Sequence, residues 1–87
     1  MNKKMKYSGT HEVKLQNLGE GIEQATIACW YIKAGDSVNK DDDMLEVVTD
    51  KAVFNISAPA QGIVKEIRFH EGQNVRIGSL LATIEMK

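Results

Sequence analysis

The sequence predicts an all-β domain made of two related halves, and three observations carry that reading. Apolar side chains nowhere recur at helical spacing for ten residues in a row. Short runs rich in Val, Ile, Thr and aromatic residues are instead separated by Gly, Asn and Asp, as strands are separated by turns. The chain also repeats itself. A shift of 37 residues lays Ile32, Gly35, Val38, Met44 and Val47 onto Phe69, Gly72, Val75, Leu81 and Ile84, without a gap. Ile27 falls on Val64 and Trp30 on Ile67 in the same register. Two copies of one unit (strand, Gly turn, lone valine, loop, strand) can pack about a pseudo-two-fold axis, each covering the apolar face the other cannot bury alone.

The elements follow in order. Residues 1–10 are polar and lysine-rich and read as a flexible leader, leaving 11–87 as the folded domain. Val13 and Leu15 alternate with polar neighbours in a first strand that ends at Gly19-Glu20-Gly21. Residues 24–32 form a second, strongly apolar strand. Its alternation over Ala25, Ile27 and Cys29 changes phase at Trp30 and Ile32, which predicts a bulge or a segment covered on both sides. Lys33-Ala34-Gly35-Asp36 is a turn, Val38 a brief apolar touch, and 39–43 a polar loop. Residues 44–49 and 52–57 make a hairpin that turns at Asp50-Lys51. The only proline, Pro59, lies in the break after it, where no ladder donor is needed. Residues 63–69 and 80–85 are the remaining strands, with Glu71-Gly72-Gln73 turning between them.

Composition narrows what such a domain does. A chain of 87 residues makes one domain with a simple core, too small for a large catalytic cleft. With 43% hydrophobic and 26% charged residues it is built to fold rather than to stay disordered. A net charge of −1, with both signs mixed along the chain, gives no electrostatic footprint for nucleic acid or an anionic membrane. No stretch is long enough to span a bilayer, and the basic start lacks the apolar run of a signal peptide. Cys29 is the single cysteine, so no internal disulfide forms and a reducing compartment, cytoplasm or mitochondrial matrix, is expected.

The repeat gives the hairpin its interest. The strands at 44–49 and 80–85 are equivalent, yet Asp50-Lys51 has no copy. An exposed lysine at a turn is ordinary by itself. Five ordered segments around it are not. Leu18-Gly19-Glu20-Gly21-Ile22, then Trp30 with Gly35-Asp36-Ser37-Val38, then Glu46-Val47-Val48-Thr49-Asp50-Lys51-Ala52, then Ala58-Pro59-Ala60-Gln61-Gly62-Ile63-Val64, and finally Glu71-Gly72-Gln73-Asn74-Val75 follow one another at family spacing. Together, over residues 12–86, they resemble the lipoyl domain of 2-oxo acid dehydrogenase complexes, as found in the dihydrolipoamide acyltransferase component.

That resemblance implies a flattened barrel or sandwich of two four-stranded antiparallel sheets. It implies lipoate joined by an amide to Lys51, with Asp50 and Ala52 recognised as the acceptor turn. It further implies a non-catalytic swinging arm. The arm is loaded by a lipoate ligase or lipoyl transferase, reductively acylated by a thiamine-diphosphate 2-oxo acid dehydrogenase, discharged to coenzyme A at an acyltransferase core, and reoxidised by a flavin-containing dihydrolipoamide dehydrogenase. A lysine amine is protonated and a poor nucleophile at neutral pH, so its modifying enzyme needs a rigid, recognisable tip. A one-residue slip in the hairpin would turn Lys51 to the opposite face. Two positions depart from the family pattern. Asp41 replaces a glycine that the repeat keeps as Gly78, and Val48 replaces an acidic residue common beside the acceptor.

Other readings make distinct expectations. Biotin carrier domains present a lysine on a similar tip, but flanked by methionines, where this chain has Asp50 and Ala52. An unmodified interaction module of this fold typically lacks the lysine. For an enzyme, candidates are scarce. His11 and His70 are expected in solvent, Cys29 and Trp30 in the packing, and Asp41-Asp42-Asp43 in a solvated turn without the ligand spacing of a calcium loop. Gly19-Glu20-Gly21 is too short for a phosphate cradle.

Overall fold

The structure is a computed structural model that describes residues 9–86. Eight strands, β1(Thr10–Lys14), β2(Gln24–Trp30), β3(Ser37–Val38), β4(Asp43–Val48), β5(Val53–Ser57), β6(Gly62–Ile67), β7(Asn74–Arg76) and β8(Leu80–Glu85), form two four-stranded antiparallel sheets. Their orders are β1-β8-β6-β3 and β5-β4-β2-β7. The two-sheet sandwich expected from the resemblance is therefore present, and the described residues hold no helix. Thr10, read as leader, pairs with Glu85 as the first residue of β1, whereas residues 1–8 of that leader lie outside the described residues. The lone valines Val38 and Val75 belong to β3 and β7, strands of two and three residues that are too short to show an alternation.

The pseudo-two-fold extends to the irregularities. The 37-residue shift carries β4 onto β8 end for end, and β2 and β3 onto β6 and β7. The ladder between β2 and β4 slips between Ile27 and Cys29, and that between β6 and β8 between Val64 and Glu66, so Ala28 and its mate Lys65 are both bulged. A second pair of slips brackets Met44 and its mate Leu81. These bulges explain why Met44-Leu45 and Leu81-Ala82 are consecutive yet fully buried, which a regular strand with its two-residue period cannot arrange. Loop hydrogen bonds repeat as well. Gly35 N donates to Val64 O as Gly72 N donates to Ile27 O, each at 2.8 Å.

The phase change read in the second strand is the Ala28 bulge, and it overturns one expectation. Ala25 and Ile27 face the core before it, while after it the inward parity passes to Trp30. Cys29 is consequently half-buried on the outer face opposite Glu46, not in the core. Trp30 packs as expected, with its indole Nε1 donating to Phe69 O at 3.0 Å.

Between the sheets lies a wholly apolar core that includes Leu15, Ile27, Met44, Leu45, Val47, Val64, Leu81 and Ile84, and no polar or charged residue among those described is buried with it. Asp41 has φ 75°, and its mate Gly78 has φ 92°. The turn demands a left-handed residue in both copies, and aspartate supplies it in one at a steric cost that glycine avoids. Asp42 and Asp43 serve the same turn region. Asp42 Oδ2 accepts from Asn39 N at 2.9 Å, and Asp43 Oδ1 accepts from Ser57 Oγ at 3.5 Å. His11, expected in solvent, is half-buried in β1 beside Ile84 of β8, while His70 is exposed.

Candidate functional site

The β4–β5 hairpin holds its strands to the last pair, Val48 opposite Val53, and leaves Thr49-Asp50-Lys51-Ala52 as the tip. Two-residue hairpin loops ordinarily need φ > 0 at one or both central residues. Neither Asp50 nor Lys51 has it, since Asp41 is the one non-glycine with positive φ among the described residues. Thr49 supplies the missing closure. Its hydroxyl oxygen accepts from Lys51 N at 3.1 Å and Ala52 N at 3.0 Å, and its proton goes to Ala52 O at 3.1 Å. That is the full capacity of a hydroxyl, one donor and two acceptor sites. Thr49 N also donates to Ala52 O at 2.8 Å. The backbone on both sides of the Lys51 Cα is thus held by one side chain.

The sequence reading placed Thr49 in the motif without giving it a task. The available signal was a threonine immediately before a turn, a residue type whose hydroxyl bonds the backbone two or three residues on.

Lys51, Asp50 and Ala52 are all exposed. No carboxylate lies within ion-pair distance of the Lys51 amine among the described residues, so it projects freely. Val48 is half-buried and Val53 is 59% exposed, which gives the tip an apolar cross-strand pair as its base. The mate of the Thr49–Ala52 closing bond is Met86 N to Gly9 O at 3.0 Å, at the other end of the body.

Symmetry fails in the loop that adjoins the tip. β1 maps onto β5 with an offset of 43 residues, but from β2 onward the offset is 37, so the loop between β1 and β2 carries six residues that its mate lacks. This loop holds the Gly19-Glu20-Gly21 segment, in which Asn17 Oδ1 accepts from Gly19 N at 2.9 Å and Gly19 O from Ile22 N at 3.2 Å. Gly21, Ile22 and Glu23 share a groove of about 510 Å³ with Val48, Thr49 and Asp50. Segments about thirty residues apart in sequence therefore meet beside the hairpin tip. The groove contains the carboxylates of Glu23 and Asp50 and no basic side chain.

On the outer face of the same sheet, Tyr31 Oη donates to Glu46 Oε1 at 2.9 Å and lies 3.3 Å from Asn55 Oδ1. The hydrogen bond to Glu46, then desolvation and the Glu46 charge, push the phenol up to about 12. This cluster ties the residue that follows β2 to β4 and β5 below the tip.

The structure is thus a symmetric two-sheet body that bears one projecting lysine on a stapled hairpin. The family model described as "Biotin-requiring enzyme" (Biotin_lipoyl) matches residues 11–84, and the chain belongs to that family. The solution structure of the lipoyl domain of the 2-oxoglutarate dehydrogenase complex from Azotobacter vinelandii superposes with a TM-score of 0.70 at 33% identity, covering 87% of this chain and 95% of that one. Among curated relatives, the lipoamide acyltransferase component of the branched-chain alpha-keto acid dehydrogenase complex of Pseudomonas aeruginosa is 37% identical over 79 residues, 91% of this chain and 18% of that protein. The dihydrolipoyllysine-residue acetyltransferase component of the pyruvate dehydrogenase complex of Staphylococcus aureus is 38% identical over 74 residues, 85% of this chain and 17% of that protein. The chain thus spans under a fifth of these curated relatives. The urea carboxylase of Kluyveromyces lactis shares the fold, with a TM-score of 0.75 at 20% identity. The chain is a carrier domain of lipoyl type. Among the described residues, no helix is long and apolar enough to cross a membrane.

Proposed function

We propose that lipoate is attached through an amide to Lys51 and that the domain serves as the mobile arm of a 2-oxo acid dehydrogenase complex. The observation that carries this reading is the Thr49-stapled tip, which presents the exposed Lys51 amine on a held backbone. The residues fit the group. The amine is exposed, its backbone is held, and the surface beside it offers Ile22 and Val48 with no cation. Once attached, lipoate supplies a dithiolane able to take up electrons and an acyl group together. The chain's own part is to hold Lys51 in register, offer Asp50 and Ala52 for recognition, and raise the arm's effective concentration at successive active sites. It makes and breaks no bond itself.

The partners are those the chemistry requires: a lipoate ligase or lipoyl transferase, a thiamine-diphosphate 2-oxo acid dehydrogenase, an acyltransferase core and dihydrolipoamide dehydrogenase. Neither nucleic acid nor membrane belongs among them, and the cytoplasm is the compartment that suits a lone unpaired cysteine. Lipoate is preferred to biotin because the named relatives at 33–38% identity are lipoyl or lipoamide proteins, while the carboxylase neighbour shares only the fold. Those three relatives serve three different oxo acids, so the dehydrogenase must be found by trial. The test is reductive acylation of the lipoylated chain by a panel of 2-oxo acid dehydrogenases, with Lys51→Ala as control. At least one enzyme should acylate the parent chain and none the variant. Failure of the whole panel on fully lipoylated protein refutes the acyl-carrier role.

A further inference from the structure

The groove beside the tip has an internal control. At the other end of the body, the mates of its strands leave a cleft of only about 210 Å³, lined by Ser37, Val38, Asn39, Gln61 and Gly62. Gln61 and Gly62 are the mates of Gln24 and Ala25, and Ser37 is the mate of Asn74, so the floors correspond. The tip end adds one wall that has no mate, Gly21-Ile22-Glu23 from the loop that carries the six extra residues, and this wall faces Val48-Thr49-Asp50 of the hairpin. The resulting groove, about 510 Å³, falls within the ~300–1,000 Å³ typical of small-molecule sites.

We propose that this groove is a seat for the far end of the group on Lys51, an uncharged acyl chain ending in a dithiolane ring, so that the loaded arm divides its time between a docked and an extended state. The inference rests on the attachment reading above. Three features select this occupant. Thr49 and Asp50 form the groove's edge and directly precede Lys51, so an arm rooted there reaches the groove by folding back. The side chains of Ile22 and Val48 give the ring apolar contact, while the Thr26 hydroxyl donates to Asn74 Oδ1 at 2.9 Å and leaves the Asn74 amide nitrogen as a donor for the arm's carbonyl. Glu23 and Asp50, with no cation among the lining residues, disfavour an anion and tolerate a neutral amide-linked chain. The seat is open on one side and weak by construction. An arm docked half of the time costs a partner enzyme only about a twofold loss of available arm.

The experiment is nuclear magnetic resonance of the 87-residue chain after lipoylation, with intact mass recorded first. The seat predicts Overhauser contacts from arm methylene and ring protons to the methyls of Ile22 and Val48, with amide shifts at Thr26 and Asn74. It also predicts that Thr26→Arg, which fills the groove from an outer strand position, removes those contacts and speeds arm relaxation at unchanged fold. Shift changes confined to Asp50, Lys51 and Ala52, with arm relaxation equal in the parent and Thr26→Arg, overturn the seat alone. A mass showing no added lipoyl group overturns the attachment and the seat together. Free lipoate, which keeps its carboxylate, should leave the Ile22 and Val48 resonances unmoved. Saturable shifts with free lipoate would show that tethering and charge are not what select the occupant.

Discussion

Removing the Thr49 hydroxyl tests whether the acceptor lysine works because it is held. Thr49→Ala deletes three hydrogen bonds, to Lys51 N, Ala52 N and Ala52 O, while keeping the Thr49 N to Ala52 O closure. The tip is exposed, so water replaces each lost partner and each bond is worth only about 0.5 kcal/mol, the low end of the usual range. Three together come to about 1.5 kcal/mol, borne by the tip rather than by the core. If a ligase captures only the ordered tip, the initial lipoylation rate at limiting enzyme should fall severalfold, with about tenfold as the upper bound. The denaturation midpoint should barely move, because no core residue is touched. Thr49→Ser, which keeps the hydroxyl, should recover most of the rate. Time courses of intact mass report the rates, and amide exchange at Lys51 and Ala52 reports the local order. Equal lipoylation rates for the parent and Thr49→Ala, or equal losses for Ala and Ser, would refute the staple.

Three further outcomes follow from the same geometry. Asp41→Gly should stabilise the domain by about 0.5–1 kcal/mol, since relief of a left-handed aspartate outweighs the added freedom of the unfolded glycine, and chemical denaturation would read it. Tyr31, on a Tyr7→Phe background, should titrate near 12 by phenolate absorbance, and Glu46→Gln should lower that midpoint. Because the folded value is raised above the ordinary 10.0, the stability Tyr31 contributes is complete below about pH 10 and lost as pH climbs towards about 12; Tyr31→Phe should flatten that part of the profile. Exchanging the tip residues, Asp50→Lys with Lys51→Asp, moves the amine by one residue and turns its side chain. Circular dichroism should be unchanged and lipoylation, by mass, should fall at least tenfold.

Much of this architecture was legible because its signals are local or periodic. The 37-residue repeat could be read from the sequence since both halves carry their bulges at matching places, Ala28 with Lys65 and Met44 with Leu81, which keeps the shift free of gaps. Asp41 stood out as a departure through its glycine mate Gly78, and its left-handed backbone came with the structure. Strands β3 and β7 were not legible, because two or three residues carry no measurable alternation. Cys29 was assigned to the wrong face for a related reason: the phase change was seen, but its position at Ala28, one residue before the cysteine, was not. The groove escaped altogether. It needs the β1–β2 loop and the hairpin tip to meet in space, and the extra six residues become apparent only when β1 is known to be the mate of β5.

Parallel loading measures directly whether Lys51 accepts lipoate. The chain is incubated with a lipoate ligase and lipoate, and separately with a biotin ligase and biotin, then weighed intact and mapped by peptide. One lipoyl group on Lys51, none on Lys51→Arg, and no biotin is the predicted result. Biotin on Lys51 with lipoate refused, or a lipoyl group on any other lysine, contradicts it.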